Sequence, residues 1–184
     1  LQTRVLVFDG AMGTSLQAQH LTAEHFGGER YNGCNDYLVI SYPQAVEKVH
    51  RSFLEVGVDV IETDTFRSNR LTLGEYGLGE RTLEINGAAA ALARRLADEY
   101  STTEQPRFVA GSIGPSGKLP SADDPELSNI GFDELADIFR EQAVGLIEGG
   151  VDLLLIETSQ DILEVKAAIT GLQKAFEETG IFLP

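Results

Sequence analysis

Glu55-Val-Gly-Val-Asp-Val-Ile-Glu-Thr63 returns later in the chain as Glu148-Gly-Gly-Val-Asp-Leu-Leu-Leu-Ile-Glu-Thr158. Each copy stops a helical pattern on glycine, opens a short apolar run at Val-Asp and closes it on Glu-Thr. The second copy carries two extra apolar residues before its glutamate. A strand repeats every two residues, so an insertion of two keeps that glutamate on the same face. Glu62 and Glu157 are therefore expected at the carboxyl ends of parallel strands, where α/β folds place their ligands. The Gly-Val-Asp portion reads as folding chemistry, a helix stop joined to a strand start.

Two further runs match this pattern: Val5-Leu-Val-Phe8 leads into Asp9-Gly10, and Phe108-Val-Ala110 leads into Gly111-Ser112. With Val58–Ile61 and Val151–Ile156 they make four short aliphatic runs of the kind buried on both faces of a parallel sheet. Amphipathic helices lie between them. Ser41-Tyr-Pro43-Gln44 reads as a capping box ahead of a stripe of Val46, Val49, Phe53 and Leu54, with Gly57 as its stop. Ile85, Ala88, Ala89, Leu92 and Leu96 form a second stripe, and Leu135, Ile138, Phe139, Ala143 and Leu146 a third. Ile162, Val165, Ile169, Leu172 and Phe176 form a fourth, ended by Gly180. This alternation predicts an α/β fold of parallel β/α units in strand order 1-2-3-4. Four units in 184 residues give about 45 residues each, against roughly 31 in a compact eight-unit barrel. The excess lies in the loops Leu16–Ile40 and Pro115–Gly131. Ile181-Phe-Leu-Pro184 stands where a fifth strand would begin, so residues 1–184 read as one domain holding half of a barrel. The two outer strands would then present unpaired edges.

Hydrophobic content of 42 % and aromatic content of 8 % are those of an ordinary globular chain. The 29 acidic residues against 14 basic ones give a formal charge of −15, which disfavours nucleic acid and anionic membrane as partners. No apolar run reaches the ~20 residues of a membrane helix. Leu1-Gln-Thr-Arg4 shows no leader. Cys34 is the single cysteine, which fits a reducing cytoplasm and leaves few soft metal ligands.

The chemistry concentrates after the strands. Asp9-Gly10-Ala11-Met12-Gly13-Thr14 can turn several backbone N–H groups outward as a nest for a carboxylate or phosphate, or can serve as a plain turn capped by Asp9. It lacks the Gly-Lys-Ser/Thr ending of a phosphate loop. Glu157 can accept charge-assisted hydrogen bonds from a ligand ammonium. Nest and carboxylate together would suit a zwitterionic amino acid. Asp64, within Glu62–Phe66, either lines the same mouth or caps the following turn, and Ser112 is a lesser pocket residue. His50 reads as surface or helix packing, and Cys34 as a buried small side chain.

Val7–Thr14, Gly33–Leu38, Ile61–Phe66, Glu75–Leu78, Ala110–Pro115 and Ile156–Asp161 together resemble the homocysteine-binding domain of the cobalamin-dependent methionine synthases, within the homocysteine S-methyltransferase family. The resemblance runs from about Val5 to the end of the chain. It implies a TIM-type (β/α)8 barrel, of which strands 1–4 and their helices are present, binding homocysteine for methyl transfer to give methionine. By position, Asp9 and Glu157 would hold the substrate amino group and the Gly10–Gly13 backbone its carboxylate. The family's zinc is held by three cysteines of the barrel's second half, and its methylcobalamin by another domain. This chain alone is expected to bind neither. Asp64 stands where the family commonly has Asn. Other readings are a non-catalytic half-barrel that self-associates, a homocysteine methyltransferase using another methyl donor, and an unrelated phosphate-binding barrel enzyme. The expected partners are homocysteine and either the missing half of the barrel or a second copy of the chain.

Overall fold

The computed structural model describes residues 4–184; the reading of Leu1–Thr3 as free of a leader lies outside them. Strands β1 (Val60–Glu62), β2 (Phe108–Ile113) and β3 (Leu153–Ile156) form a parallel sheet in the order β1-β2-β3. Val60 is in register with Phe108, and Ala110 with Leu153. The helices are α1 (Met12–Gln17), α2 (Leu38–Ser41), α3 (Pro43–Glu55), α4 (Arg70–Gly74), α5 (Thr82–Tyr100), α6 (Phe132–Glu148) and α7 (Ile162–Thr179). Ile61, Val109 and Ile113 from the sheet meet Leu135, Phe139 and Leu146 of α6 in one core. No described helix is long and apolar enough to cross a membrane.

The strand expected at Val5–Phe8 is only an isolated parallel bridge between Phe8 and Val60. Its backbone bonds go to one neighbour: Val7 O accepts from Asp59 N and Val60 N, and Asp9 N donates to Val60 O. Val5, Val7 and Phe8 are 83 %, 55 % and 39 % exposed. The single bridge makes no ladder, and the sheet holds three strands rather than four. The opposite edge is less open than expected, because Leu154 N donates to Pro184 O at 3.1 Å.

The repeated Gly-Val-Asp proves to be folding chemistry. Gly57 and Gly150, at φ 96° and 94°, sit one residue past the caps of α3 and α6. Gly57 N donates to Leu54 O and Val58 N to Phe53 O; Gly150 N donates to Ile147 O and Val151 N to Leu146 O. These are two Schellman endings, whose left-handed residue favours glycine. The aspartates then reach sideways. Asp59 Oδ2 accepts the Val7 N–H at 2.9 Å, and Asp152 Oδ2 accepts the Val109 N–H at 2.7 Å. Arg4 and Arg94 flank these carboxylates at 2.8 and 2.6 Å. The Val7 bond is the main cause holding the Asp59 carboxyl below its ordinary range, with Arg4 adding to it.

Two helices depart from the expected pattern. Ser41 makes no capping box: it ends α2 and donates its Oγ to Tyr37 O, while α3 starts at Pro43 without a side-chain cap. On α7 the buried residues are Glu164, Ala167, Ala168, Gly171 and Ala175, and Ile162 and Ile169 are 71 % and 46 % exposed. Small side chains face inward because α7 lies directly on α6: a Cβ on Gly171 would stand 2.4 Å from Ala136 O and 2.8 Å from Arg140 N. Those neighbours are backbone and cannot swing aside. Gly171→Ala is expected to lower stability by about 1–3 kcal/mol through overpacking. Exposed Gln173→Ala should change it by less than about 0.5 kcal/mol. Urea unfolding midpoints of the two variants would measure the contrast.

Candidate functional site

The carboxyl ends of the strands surround a cleft of about 310 Å³, near the small end of ligand sites. Asp9 follows the Phe8 bridge, Glu62 ends β1, Ser112 lies in β2 and Glu157 follows β3; all four line the cleft. Gly10, Ala11, Met12, Gly13 and Asp64 line it as well. Of the site residues expected from sequence, Thr14 alone is absent from the lining, exposed on α1.

Each carboxylate is placed by a different device. Asp9 Oδ1 accepts the Glu62 N–H at 2.9 Å, tying the first segment to the end of β1. Ser112 Oγ donates to Glu157 Oε1 at 2.6 Å, so this serine orients a carboxylate. Thr63 and Thr65 stitch β1 to β2: their hydroxyls are 2.6 Å apart, Ser112 N donates to Thr63 Oγ1, and Thr65 Oγ1 donates to Ser112 O. Left-handed non-glycine residues flank the mouth at Ala11 (φ 55°) and Thr158 (φ 57°). For a β-branched residue such as Thr158 this conformation is strained, and such strain collects at functional sites.

The loop Gly33–Asp36, together with Phe66, Arg67 and Tyr76, completes the cleft wall. Of these, Phe66 belongs to the Glu62–Phe66 segment expected at the mouth; Gly33–Asp36 and Tyr76 are signalled only by the Gly33–Leu38 and Glu75–Leu78 motifs, and Arg67 by none. Asp36 Oδ1 accepts the Arg67 N–H at 2.9 Å. The Arg67 guanidinium turns outward to Glu75 at 2.9 Å. Cys34 is buried as expected. His50 is fully buried on α3, so of its two readings helix packing holds and surface does not.

Five carboxyl groups therefore line the cleft, from Asp9, Asp36, Glu62, Asp64 and Glu157, with Arg67 as the basic residue. Among the described residues neither Glu62, Asp64 nor Glu157 makes an ion pair. Burial, then the Glu157 and Asp9 charges, push the Glu62 carboxyl up to about 7. Burial raises Asp36 to about 6, and burial followed by the Asp36 charge raises Asp64 well above its ordinary range. Burial and the Asp36 charge carry the Cys34 thiol up to about 12. Such a cleft favours a cationic or hydrogen-bond-donating ligand group over an anionic one. Among the described residues no three His, Cys, Asp or Glu side chains converge as a metal site.

Residues 6–182 match the profile of a family described as homocysteine S-methyltransferase. The chain is 40 % identical over 184 residues to a methionine synthase of Mycobacterium tuberculosis, covering all of this chain and 15 % of that protein. Among solved structures, the homocysteine methyltransferase MmuM from Escherichia coli in its metallated form aligns over 97 % of this chain and 61 % of its own, with a TM-score of 0.74 and 20 % identity. Its oxidized form gives the same TM-score and identity over 60 % of its own length. The chain thus spans less than two thirds of these relatives, and shares the fold of the solved ones.

Glu62 binds its proton more tightly in the folded chain than in the unfolded one, where its ordinary value is 4.5. The stability tied to its neutral form is therefore complete below about pH 4.5 and is lost as pH rises through about 7. Glu62→Gln removes that loss. The variant's urea midpoint should rise above the parent's between about pH 5 and 8 and meet it near pH 4. A difference independent of pH would show that Glu62 titrates alike in both states.

Proposed function

Because the chain belongs to the homocysteine S-methyltransferase family, we propose that it forms part of the substrate pocket of a homocysteine S-methyltransferase of the methionine synthase type. Residues 1–184 then act as one domain, the Val5–Phe8 segment and strands β1–β3 with their helices forming the first units of a (β/α)8 barrel, binding homocysteine for methyl transfer to its sulfur. The observation that carries this reading is the convergence of Asp9 and Glu157, from opposite sides of the sheet, on one acid-lined cleft. Both would accept hydrogen bonds from the substrate ammonium, Glu157 held by Ser112 and Asp9 anchored on the Glu62 N–H. The Gly10–Gly13 backbone would receive the substrate carboxylate, which the open space beside Gly10 supports: nothing lies within 4 Å of where its Cβ would stand. Asp64 and Ser112 complete the assigned pocket.

Zinc, which the resemblance implies for activating the sulfur, does not fit the residues present. Cys34 is the only cysteine, and with its thiol pushed up to about 12 it is a poor thiolate ligand. The methyl donor's cobalamin would be carried by another domain, as the resemblance implies. The chain's own contribution is to bind and orient homocysteine, in the reducing cytoplasmic setting that a lone buried cysteine fits.

The exposed Val5, Val7 and Phe8 favour a second proposal: that this edge is covered in the working protein, by further β/α units or by a second copy of the chain. Sedimentation at micromolar concentration is expected to show association, and Val7→Lys to reduce it. A chain that stays monomeric on concentration removes the second-copy reading.

Calorimetry with homocysteine tests the pocket. Glu157→Gln and Asp9→Asn are each expected to cost about 1.5–3 kcal/mol, roughly 10- to 150-fold in affinity. Unchanged binding in both variants would overturn the assignment. The chain purified without chelator is expected to retain no stoichiometric zinc by elemental analysis.

A further inference from the structure

His50 sits on the face of α3 that carries Val46, Val49 and Leu54 into the core, and it is 0 % exposed. Neither ring nitrogen has a hydrogen-bond partner among the described residues. A polar nitrogen buried without a partner is costly, so this imidazole demands one. What faces it is the cleft's own acid: His50 Nδ1 lies 3.9 Å from Asp9 Oδ2, with the two side chains 0 % and 3 % exposed. The separation exceeds the ~3.2 Å limit of an N–H···O bond by about 0.7 Å, a distance that a small rotation of either side chain would have to close. The other oxygen, Asp9 Oδ1, already accepts the Glu62 N–H. His50 itself is not among the residues lining the cleft.

We propose that His50 is a positioning residue for substrate binding, its Nδ1–H held by Asp9 Oδ2 so that the carboxylate is fixed from both oxygens. A carboxylate offers about four lone-pair sites. With one donor on each oxygen its plane is set, and the lone pairs left over are aimed into the cleft. Without the imidazole, Asp9 is anchored through Oδ1 alone and can swivel about its last bond. Fixing a neutral imidazole as donor at Nδ1 also fixes its tautomer, leaving Nε2 as the unprotonated nitrogen. The inference rests on the reading above that Asp9 receives the ligand ammonium, but the His50–Asp9 contact can be tested without any ligand.

The full chain labelled with 15N-histidine would be observed through long-range proton–nitrogen correlations, with the His50 ring assigned from the His50→Asn spectrum. The expected result is an Nδ1–H tautomer at His50. Asp9→Ala should move its Nδ1 resonance and leave His20 and His25 in place. An Nε2–H tautomer, or an Nδ1 signal indifferent to Asp9→Ala, overturns the proposal. In calorimetry, His50→Leu should weaken homocysteine binding about five- to tenfold. His50→Asn, whose Nδ2 reaches the position of Nδ1, should restore most of it. Equal affinity of His50→Leu and the parent also overturns the proposal. If the parent binds no homocysteine, the functional reading fails, while the spectra of the free chain still decide the His50 contact.

Discussion

A parallel strand delivers its last side chain to the mouth of a fold only if its first residues are held in register, since a slip of one residue turns every side chain to the other face. Here the same device holds register twice. Asp59 and Asp152 each follow a Schellman ending and each accept an N–H from the neighbouring segment, at Val7 and Val109. Everything at the other end of the sheet depends on this. Glu62 follows Asp59 by three residues and Glu157 follows Asp152 by five, so the odd spacing is shared and both glutamates meet in one cleft. Each unit is thus pinned at its start by a carboxylate engaged with backbone and arginine, and ends in a carboxylate with no such cation.

That contrast between the two ends divides the acidic residues by role. Asp59 is held ionised by the Val7 N–H and nearby guanidinium groups, and it works as structure. Glu62, Asp36 and Asp64 line the same cleft, and burial lifts all three. Burial favours the protonated form of each. A ligand ammonium would favour the ionised forms, and its binding would then be linked to proton release. The neutral stitching by Thr63, Thr65 and Ser112 gives the cluster a rigid frame without adding charge.

Strand positions two to four, the four long helices and the meeting of Asp9 with Glu157 were legible in the sequence because they follow from periodicity and helix-stop chemistry. What was not legible depends on neighbours. The Val5–Phe8 run has the composition of a strand, but a strand needs a ladder, and this one meets a single bridge. On α7 the largest apolar residues suggested the buried face; close approach to Ala136 and Arg140 instead selected Gly171 and the alanines. Ser41 had the right spacing for a cap, but the preceding short helix claimed its hydroxyl. The Gly33–Asp36 wall carries no chemical pattern of its own and reaches the cleft only through tertiary folding. Buried His50 shows the same limit: an imidazole on an apolar helix face gives no sign of which carboxylate lies opposite.

The bond from Leu154 N to Pro184 O bears on how this sheet avoids recruiting foreign strands. An open parallel edge of Leu153–Ile156 would template any extended peptide, because its donors and acceptors alternate along an apolar row. The residue laid against it is a proline, which accepts a hydrogen bond but has no N–H to return. An incoming strand must displace that segment first. As the chain leaves the ribosome, each new strand edge is exposed until the next segment arrives, and aggregation competes with folding in that interval. While Pro184 O accepts the Leu154 N–H, that position of the edge is not open to an incoming strand.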